Sequence, residues 1–353
     1  MTYAKSIVAL ALAGCGGIAR TLAWASVLAI MLLPVAAATE PITLKLAFFA
    51  PEQTDTFRYG VKPFVDAVNA EGKGLLEIKV YADGALGKAV AEQPGMVLEG
   101  VADIAWVVPG QTPYRFPDNE LLEMPGLFRD VREGSLVYTR LVAAKALRGY
   151  EDFFVIGGYT SAPSIIHSRT PINSLAELKG KKIRTNNPME AEALARLGAI
   201  PTIMPASQLS DALRRRAVDG AIMSPTGLIQ FNAAGEATNH YLLGIGAAPL
   251  LVLMNRKKFD GLSAPAQALI RKYSGERAAA IWIESFGASE QRSLDKLRAE
   301  AGRHAVEPSL ADREAAQRIY RSLIENWAAR SAHNRELLKT VEAELATIRS
   351  TKQ

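Results

Sequence analysis

The sequence predicts an α/β protein of two lobes followed by a helical C-terminal region. Strand and helix patterns alternate between residues 42 and 108, and a second alternating series occupies residues 153–223. From residue 264 onward, Leu, Ile and Ala recur at helical spacing. Short connections between alternating strands and helices are typical of βαβ units on a parallel sheet, and two such series predict two lobes.

The first series opens with an alternating strand, Ile42 to Ala50, which stops at Pro51. A helix from Phe57 to Gly72 follows, because apolar residues recur on one face at i, i+4, i+7, i+8 and i+11. We expect strands at 76–81 and 102–108, with a helix between them that ends at Gly100 and is bent at Pro94-Gly95.

The second series contains short strands and two helices. Ser174 and Glu177 have the S-x-x-E spacing of a capping box, which would begin a helical turn ending at Gly180. His240 to Asn255 is mostly apolar and long enough to cross between lobes. The expected strands are 153–157, 164–168, 182–185, 201–204 and 221–223, and the expected helices are 188–197 and 207–216.

These elements divide into two lobes without a flexible linker or an internal repeat. The prediction places residues 39–162 and about 249–285 in lobe I, and residues 163–248 and about 286–353 in lobe II. A long helix in the C-terminal region would span both lobes.

The N-terminus has the pattern of an export signal. Between residues 7 and 38 the only charge is Arg20, and Leu22 to Val35 has the length of a signal-peptide core before the small residues 36–38. We expect cleavage near Ala38 and a periplasmic mature chain. The segment ending in Cys15 also resembles a lipobox, but cleavage there would leave the second apolar run on the mature protein.

Charge and cysteine content exclude several functions. The formal net charge is +5, and setting aside residues 1–38 leaves 39 basic against 36 acidic residues, which is too mild an excess to indicate nucleic-acid binding. Cys15 is the only cysteine, so residues 39–353 hold no disulfide or thiolate metal site.

Catalytic motifs are missing from the sequence. None of the four histidines has a metal-ligand partner at a usual spacing, there is no G-x-S-x-G elbow, and the glycine spacing at Gly84-Ala85-Leu86-Gly87 does not fit a P-loop. We therefore predict no catalytic residue, metal or cofactor, and binding rather than catalysis.

Several segments in order resemble one family, the periplasmic solute-binding proteins of TRAP transporters, or DctP family. The resemblance runs from about Ile42 to about Lys272, and its most specific stretch is Pro171 to Arg184, which ends in Lys-Ile-Arg. The other segments are Asp83–Gly87, Val97–Asp103, Leu121–Phe128, Leu197–Pro201, Ala212-Leu213 and Val218–Gly220.

This resemblance implies a type II-like periplasmic binding fold that closes on a small organic acid and delivers it to the membrane subunits of a TRAP permease. The arginine of Lys-Ile-Arg, Arg184 here, would pair with the ligand carboxylate. Guanidinium matches a carboxylate with two parallel donors, and the end of a strand is where α/β folds place ligands. The alternative is a structural ion pair of Arg184 with Glu177 or Asp219.

The chain departs from the family at two places. Met223 and Ser224 occupy the region where relatives supply an asparagine, and Ser161 to Ser164 replaces a second arginine. A polyol acid of the sialic-acid kind is therefore disfavoured. We expect a monocarboxylate with an apolar or aromatic body, for which Met223 provides an apolar wall and Ser224 a hydrogen bond.

Further ligand contacts are expected from the ends of the first-lobe strands. Trp106 and Tyr114 could stack on a ligand, or pack beneath a loop. Arg115 is a second clamp or an exposed cation, and Phe48 and Glu52 end the first strand.

The residues also allow two other function classes. The same fold could present its closed form to a membrane receptor as the sensing component of a signalling system, and an exported enzyme could use the same scaffold.

Overall fold

The computed structural model describes residues 40–351, and its strands form two mixed sheets. The first has the order β2-β1-β3-β10-β4 and the second the order β11-β9-β5-β8-β6-β7. The predicted signal peptide and its cleavage site lie outside the described residues. The strands are β1 (Ile42–Ala47), β2 (Leu76–Tyr81), β3 (Ile104–Val107), β4 (Phe153–Thr160), β5 (Ile165–Ser168), β6 (Lys182–Thr185), β7 (Ile200–Ile203), β8 (Gly220–Met223), β9 (Asn239–Tyr241), β10 (Pro249–Asn255) and β11 (His304–Val306).

Helices cover the sheets and make up most of the C-terminal region. Short 3-10 turns occur at Val90–Glu92, Pro109–Gln111, Leu175–Leu178 and Ala206–Gln208. The α-helices are α1 (Lys62–Glu71), α2 (Gln93–Leu98), α3 (Asn119–Leu122), α4 (Val131–Ala143), α5 (Pro188–Arg196), α6 (Leu209–Arg214), α7 (Pro225–Gln230), α8 (Arg256–Asp260), α9 (Ala264–Lys272), α10 (Glu276–Ala299), α11 (Leu310–Ala329) and α12 (Ala332–Ser350).

Parallel pairing places the strand ends that carry candidate site residues at one edge of each sheet. In the first sheet β1 pairs in parallel with β2 and β3, and in the second β6 pairs in parallel with β7 and β8. The carboxyl ends of β1 and β3 therefore share one edge, as do those of β6, β7 and β8. This confirms the α/β class and the βαβ reading of both series.

Two segments without a helix carry the chain between the sheets, before α10 returns it from the first sheet to β11 of the second. The predicted crossing segment, 240–255, is divided: β9 belongs to the second sheet and β10 to the first. A second crossing joins β4 to β5, and the two lie side by side, because the Ser161 amide donates to the Ala248 carbonyl at 2.9 Å and the Ser164 amide to the Gly246 carbonyl at 2.6 Å.

The long helix α10 contacts elements of both sheets. Its Trp282 indole donates to the Thr160 carbonyl at the end of β4 at 3.0 Å. Eight residues further on, Glu290 Oε2 accepts from the Thr226 amide in α7, also at 3.0 Å. The boundaries of the two lobes remain a prediction.

An aromatic stack forms part of the core beneath the first sheet. Tyr159 and Trp282 stack with ring centroids 4.9 Å apart, and Trp106 packs against both at 6.0 and 5.8 Å. The helical segment before α1 approaches this stack closely at Gly60, where a Cβ would lie 2.5 Å from the Trp106 ring. Any larger residue at position 60 would have to displace the indole, so this glycine is required by packing.

Four local predictions were wrong in detail. The helix expected from Phe57 begins as a π-helix, Thr56–Val61, before α1. Pro94 lies in the first turn of α2, where its missing N–H costs nothing, so it starts that helix and does not bend one. The other two concern Ser174 and the C-terminal region.

The Ser174 side chain makes no capping bond, and Glu177 accepts from the Asn173 amide one residue earlier, so the turn Leu175–Leu178 lacks the capping box. The C-terminal region contains a strand, β11, which pairs in parallel with β9. No helix within residues 40–351 is long and apolar enough to cross a membrane.

Candidate functional site

Arg184 lies at the carboxyl end of β6 and is buried, with 1% of its surface exposed. Its guanidinium is held by the neighbouring strand end: Nε and Nη2 donate to the Met204 carbonyl at 2.9 and 2.7 Å. Nη2 also donates to Asn186 Oδ1 at 3.1 Å. Three hydrogen bonds therefore fix the plane of the guanidinium.

The structural ion pairs considered for Arg184 are not formed. Glu177 accepts from Asn173, and Asp219 accepts from the Lys182 amide at 2.8 Å. Within residues 40–351, no carboxylate lies within 4.0 Å of the Arg184 guanidinium.

Burial lowers the pKa of Arg184 to about 10, and the charge of Glu190 opposes that shift. The side chain is thus a cation at neutral pH. Its third donor group, Nη1, bonds to no described residue and is not among the fully enclosed polar atoms without a partner. A cation that is buried, oriented and without a carboxylate partner can receive an anionic group through Nη1.

Met223 and Ser224 lie at the same edge of the second sheet as Arg184, because β8 pairs in parallel with β6. Ser224 caps α7 by accepting from the Gly227 amide at 3.2 Å. The Met223 side chain lies against Gly227, whose absent Cβ would be 2.8 Å from Met223 Cγ. The structure thus places three of the predicted site residues at the same edge of the second sheet.

The predicted residues of the first sheet occupy different surroundings. Trp106 and Phe48 are both 1% exposed and pack edge to face at 6.1 Å, so their described contacts are those of core residues. Tyr114 is 80% exposed, Arg115 half-buried on the same loop, and Glu52 exposed. No described hydrogen bond or ion pair joins any of these five to Arg184.

Sequence reasoning missed three residues around Arg184: Met204, Asn186 and Gln111. Asn186 stands two positions after Arg184, in the segment Thr185–Pro188, so the sequence itself indicates that the two residues are close. Met204 acts through its main-chain carbonyl, which leaves no side-chain signal. Gln111 donates to Asn186 from 75 positions away, and that distance hides the contact.

Other cavities and clusters lie away from these residues. A cavity of about 600 Å³ between α4, α10 and the crossing segments is lined by Arg129, Ile283 and Glu290 among others, and by none of the eight predicted site residues. Within the described part of the chain, no group of three His, Cys, Asp or Glu residues could hold a metal ion.

Two α/β sheets joined by paired crossing segments and a shared long helix, with an oriented arginine at a strand end, define a two-lobed solute-binding protein. The chain belongs to the DctP family, described as bacterial extracellular solute-binding protein, family 7, which matches residues 48–331. This confirms the resemblance noted in the sequence, and the family is one of solute-binding receptors.

Two relatives illustrate the similarity. The 2,3-diketo-L-gulonate-binding periplasmic protein of Escherichia coli K12 is 31% identical over 260 residues, covering 72% of this chain and 78% of its own. A TRAP solute-binding protein from a marine metagenome, specific for aromatic acid ligands and solved with 3-hydroxybenzoate, superposes with a TM-score of 0.78 at 26% identity and covers 88% of this chain and 99% of its own.

Proposed function

We propose that this protein is a periplasmic receptor that captures a small organic acid between its lobes and delivers it to a TRAP-type membrane permease. The observation that carries the proposal is Arg184, a buried cation oriented by three hydrogen bonds and without a carboxylate partner among the described residues. A buried charge of this kind costs free energy unless an anion pairs with it, which suits a site for a carboxylate ligand.

The ligand we favour is a monocarboxylate with an apolar or aromatic body. Met223 gives the edge of the second sheet a soft apolar surface beside Arg184. The marine relative is specific for aromatic acids, which supports the same class for this chain. The E. coli relative binds a sugar acid, and the carboxylate is the group common to both ligands.

In this proposal Arg184 binds the carboxylate, and Ser224 and Met223 lie beside it. Trp106, Phe48, Tyr114, Arg115 and Glu52 stay predicted contacts that require the lobes to bring the first-sheet edge to the ligand. Closure by a ligand requires that the ligand bind the closed arrangement more tightly than the open one. An acid whose carboxylate binds Arg184 and whose apolar body contacts the first lobe meets that requirement.

The test is a thermal-shift screen of residues 39–353 against organic acids, with 3-hydroxybenzoate and benzoate included. An acid at a hundred times its Kd adds about 2.7 kcal/mol, which raises Tm by a few degrees. We expect the shift in wild type and in Arg335→Ala, an exposed arginine, and its loss in Arg184→Ala.

Arg184→Gln serves as a second variant in case Arg184→Ala does not fold, because a glutamine amide can still donate to the Met204 carbonyl but carries no charge. If the two Arg184 variants shift as wild type does, the acid binds elsewhere and the proposed role of Arg184 is wrong.

A further inference from the structure

The amide oxygen of Asn186 joins the two lobes at Arg184. Oδ1 accepts from Arg184 Nη2 at 3.1 Å and from Gln111 Nε2 at 3.0 Å. Gln111 Nε2 also donates to the Asn186 carbonyl at 2.8 Å. Gln111 ends the 3-10 turn that follows β3 of the first sheet, whereas Asn186 follows β6 of the second.

Both acceptor positions of the Asn186 amide oxygen are therefore occupied, one from each lobe. Arg184 Nη2 donates to both this oxygen and the Met204 carbonyl, so Asn186 supplies one of the three hydrogen bonds that fix the plane of the guanidinium. Gln111 holds Asn186 at two points and prevents the amide from rotating away. Withdrawal of Gln111 with its lobe would leave Asn186 held by its own lobe alone.

The backbone around Gln111 approaches the second lobe closely, so the contact does not depend on one long side chain. A Cβ at Gly110 would lie 3.4 Å from Asn187 Cβ and 2.2 Å from Glu123 Oε1. Asn187 caps α5 by accepting from the Glu190 amide at 2.8 Å, which fixes the segment that carries Asn186. The 3-10 turn Pro109–Gln111 thus packs directly against the N-terminus of α5.

We propose that Gln111 is a positioning residue that couples the approach of the two lobes to the orientation of Arg184. The proposal rests on the proposed function, in which Arg184 binds the carboxylate. Gln111 itself makes no ligand contact in this scheme. It holds the guanidinium in its binding orientation once the lobes meet, so it slows release of the acid and leaves the association rate nearly unchanged.

Gln111→Glu tests this role because it keeps the size of the side chain and removes both N–H donors. The new carboxylate would face two oxygens of Asn186, so the contact becomes repulsive. The matched control is Gln317→Ala on α11, where the side chain is exposed and makes no described hydrogen bond. Gln111→Ala removes the donors without adding charge.

Two measurements on residues 39–353 are needed. The first is the association and dissociation rate of 3-hydroxybenzoate, or of the acid with the largest thermal shift. We expect dissociation to be about tenfold faster in Gln111→Glu, as for a lost buried hydrogen bond, with association within about twofold of wild type. Gln317→Ala should match wild type, and Gln111→Ala should fall between.

The second measurement needs no ligand. Residues 39–353 contain no cysteine, so Glu77→Cys and Ala176→Cys, both exposed, accept one spin label on each lobe. We expect Gln111→Glu to reduce the population with the shorter distance between the labels. Unchanged distances would overturn the proposal even if the acid binds, as would a slower association rate with unchanged release. Failure of every acid to bind would instead refute the proposed function, and the distances would still test the contact.

Discussion

At residue scale, Arg184 is charged in surroundings where a charge is costly. Its pKa, lowered by burial to about 10, still leaves the guanidinium protonated at pH 7. Oxygen dipoles of Met204 and Asn186 offset part of the desolvation cost, but they carry no net charge. Burial of Arg184 therefore lowers the free energy of unfolding of the ligand-free protein, and a bound ligand carboxylate can offset that loss.

Asn186→Asp tests this directly, because it adds a carboxylate at 3.1 Å from Arg184 Nη2 without changing side-chain size. We expect the free protein to gain about 1 to 2 kcal/mol from a charge-assisted bond. Acid binding should weaken at least about tenfold, since the new carboxylate competes for the same cation. Tm and Kd together are the measurement. A gain in stability with unchanged affinity would show that the ligand does not use Arg184.

The position of Arg184 was predictable from its place after a strand and from its family resemblance, but its environment was not. Its closest partner is a main-chain carbonyl, that of Met204, and main-chain groups give no residue signal. For Trp106 and Phe48 the residue type was predictable but its neighbours were not: an aromatic residue at a strand end looks the same in sequence whether it faces a ligand or, as in their described contacts, other core rings.

At the scale of elements, β5 and β9 hold a histidine pair that spacing could not reveal. His167 and His240 are 73 positions apart and become register partners in the second sheet. His167 Nε2 donates to the Met223 carbonyl at 3.2 Å, so its Nδ1 has no proton and accepts from His240 Nδ1 at 2.8 Å. In the sequence each appears as a lone histidine, because spacing does not indicate which residues of two distant strands become register partners.

A proton added to His167 Nδ1 would set two N–H groups against each other, and one added to His240 Nε2 would place a charge on a buried ring whose Nε2 has no hydrogen-bond partner in the described chain. Burial, followed by the neighbouring ring, lowers the pKa of His167 to about 3, and burial with Arg303 lowers that of His240 to about 4. The unfolded chain therefore binds more protons below about pH 6.5, and this pair loses stability as pH falls from 6.5 towards 4.

We expect His240→Gln to reduce that acid sensitivity, because a glutamine amide can still donate to His167 without titrating. The wild-type free energy of unfolding should fall by at most about 1.4 kcal/mol per pH unit per histidine in this window. Urea unfolding at pH 7, 6 and 5 measures the slope. His304→Gln, at an exposed position on β11, is the control, and equal slopes in wild type and His240→Gln would contradict the assignment.

At the scale of the whole molecule, two buried acidic residues lie near the point where Gln111 contacts Asn186. Glu123, from the segment after β3, is 2% exposed, and its Oε1 has no hydrogen-bond partner in the described chain. Glu190 of α5 accepts from Thr185 Oγ1 at 2.6 Å. Gly246 of the crossing segment lies close to both residues, since a Cβ there would be 2.7 Å from the Glu123 carbonyl oxygen and 3.7 Å from Glu190 Cγ.

The two-lobed α/β architecture was predictable because hydrophobic periodicity reports each element separately. Contacts between lobes were not, because Glu123, Glu190 and Gly246 are far apart in sequence and are brought together by the fold. The same holds for β11, a three-residue strand whose sequence, His304 to Val306, has too few positions to show an alternating pattern.

The contact between the lobes should respond to pH with a sign opposite to that of the histidine pair. Burial, followed by the charges of Glu190 and Glu120, raises the pKa of Glu123 well above its usual value. The folded state thus holds a proton that the unfolded state releases above about pH 4.5. The stabilising effect of that proton is present at low pH and is lost as pH rises through the raised pKa.

Glu123→Gln imitates the protonated carboxyl at every pH, so we expect its stability relative to wild type to increase between pH 5 and pH 8. The difference between variant and wild type isolates this group, because the histidine contribution is common to both proteins. Urea unfolding at each pH measures it, with the exposed Glu284→Gln on α10 as control. A constant difference across the range would mean that Glu123 ionises freely in the folded protein, and that its lobe does not hold the carboxyl away from water.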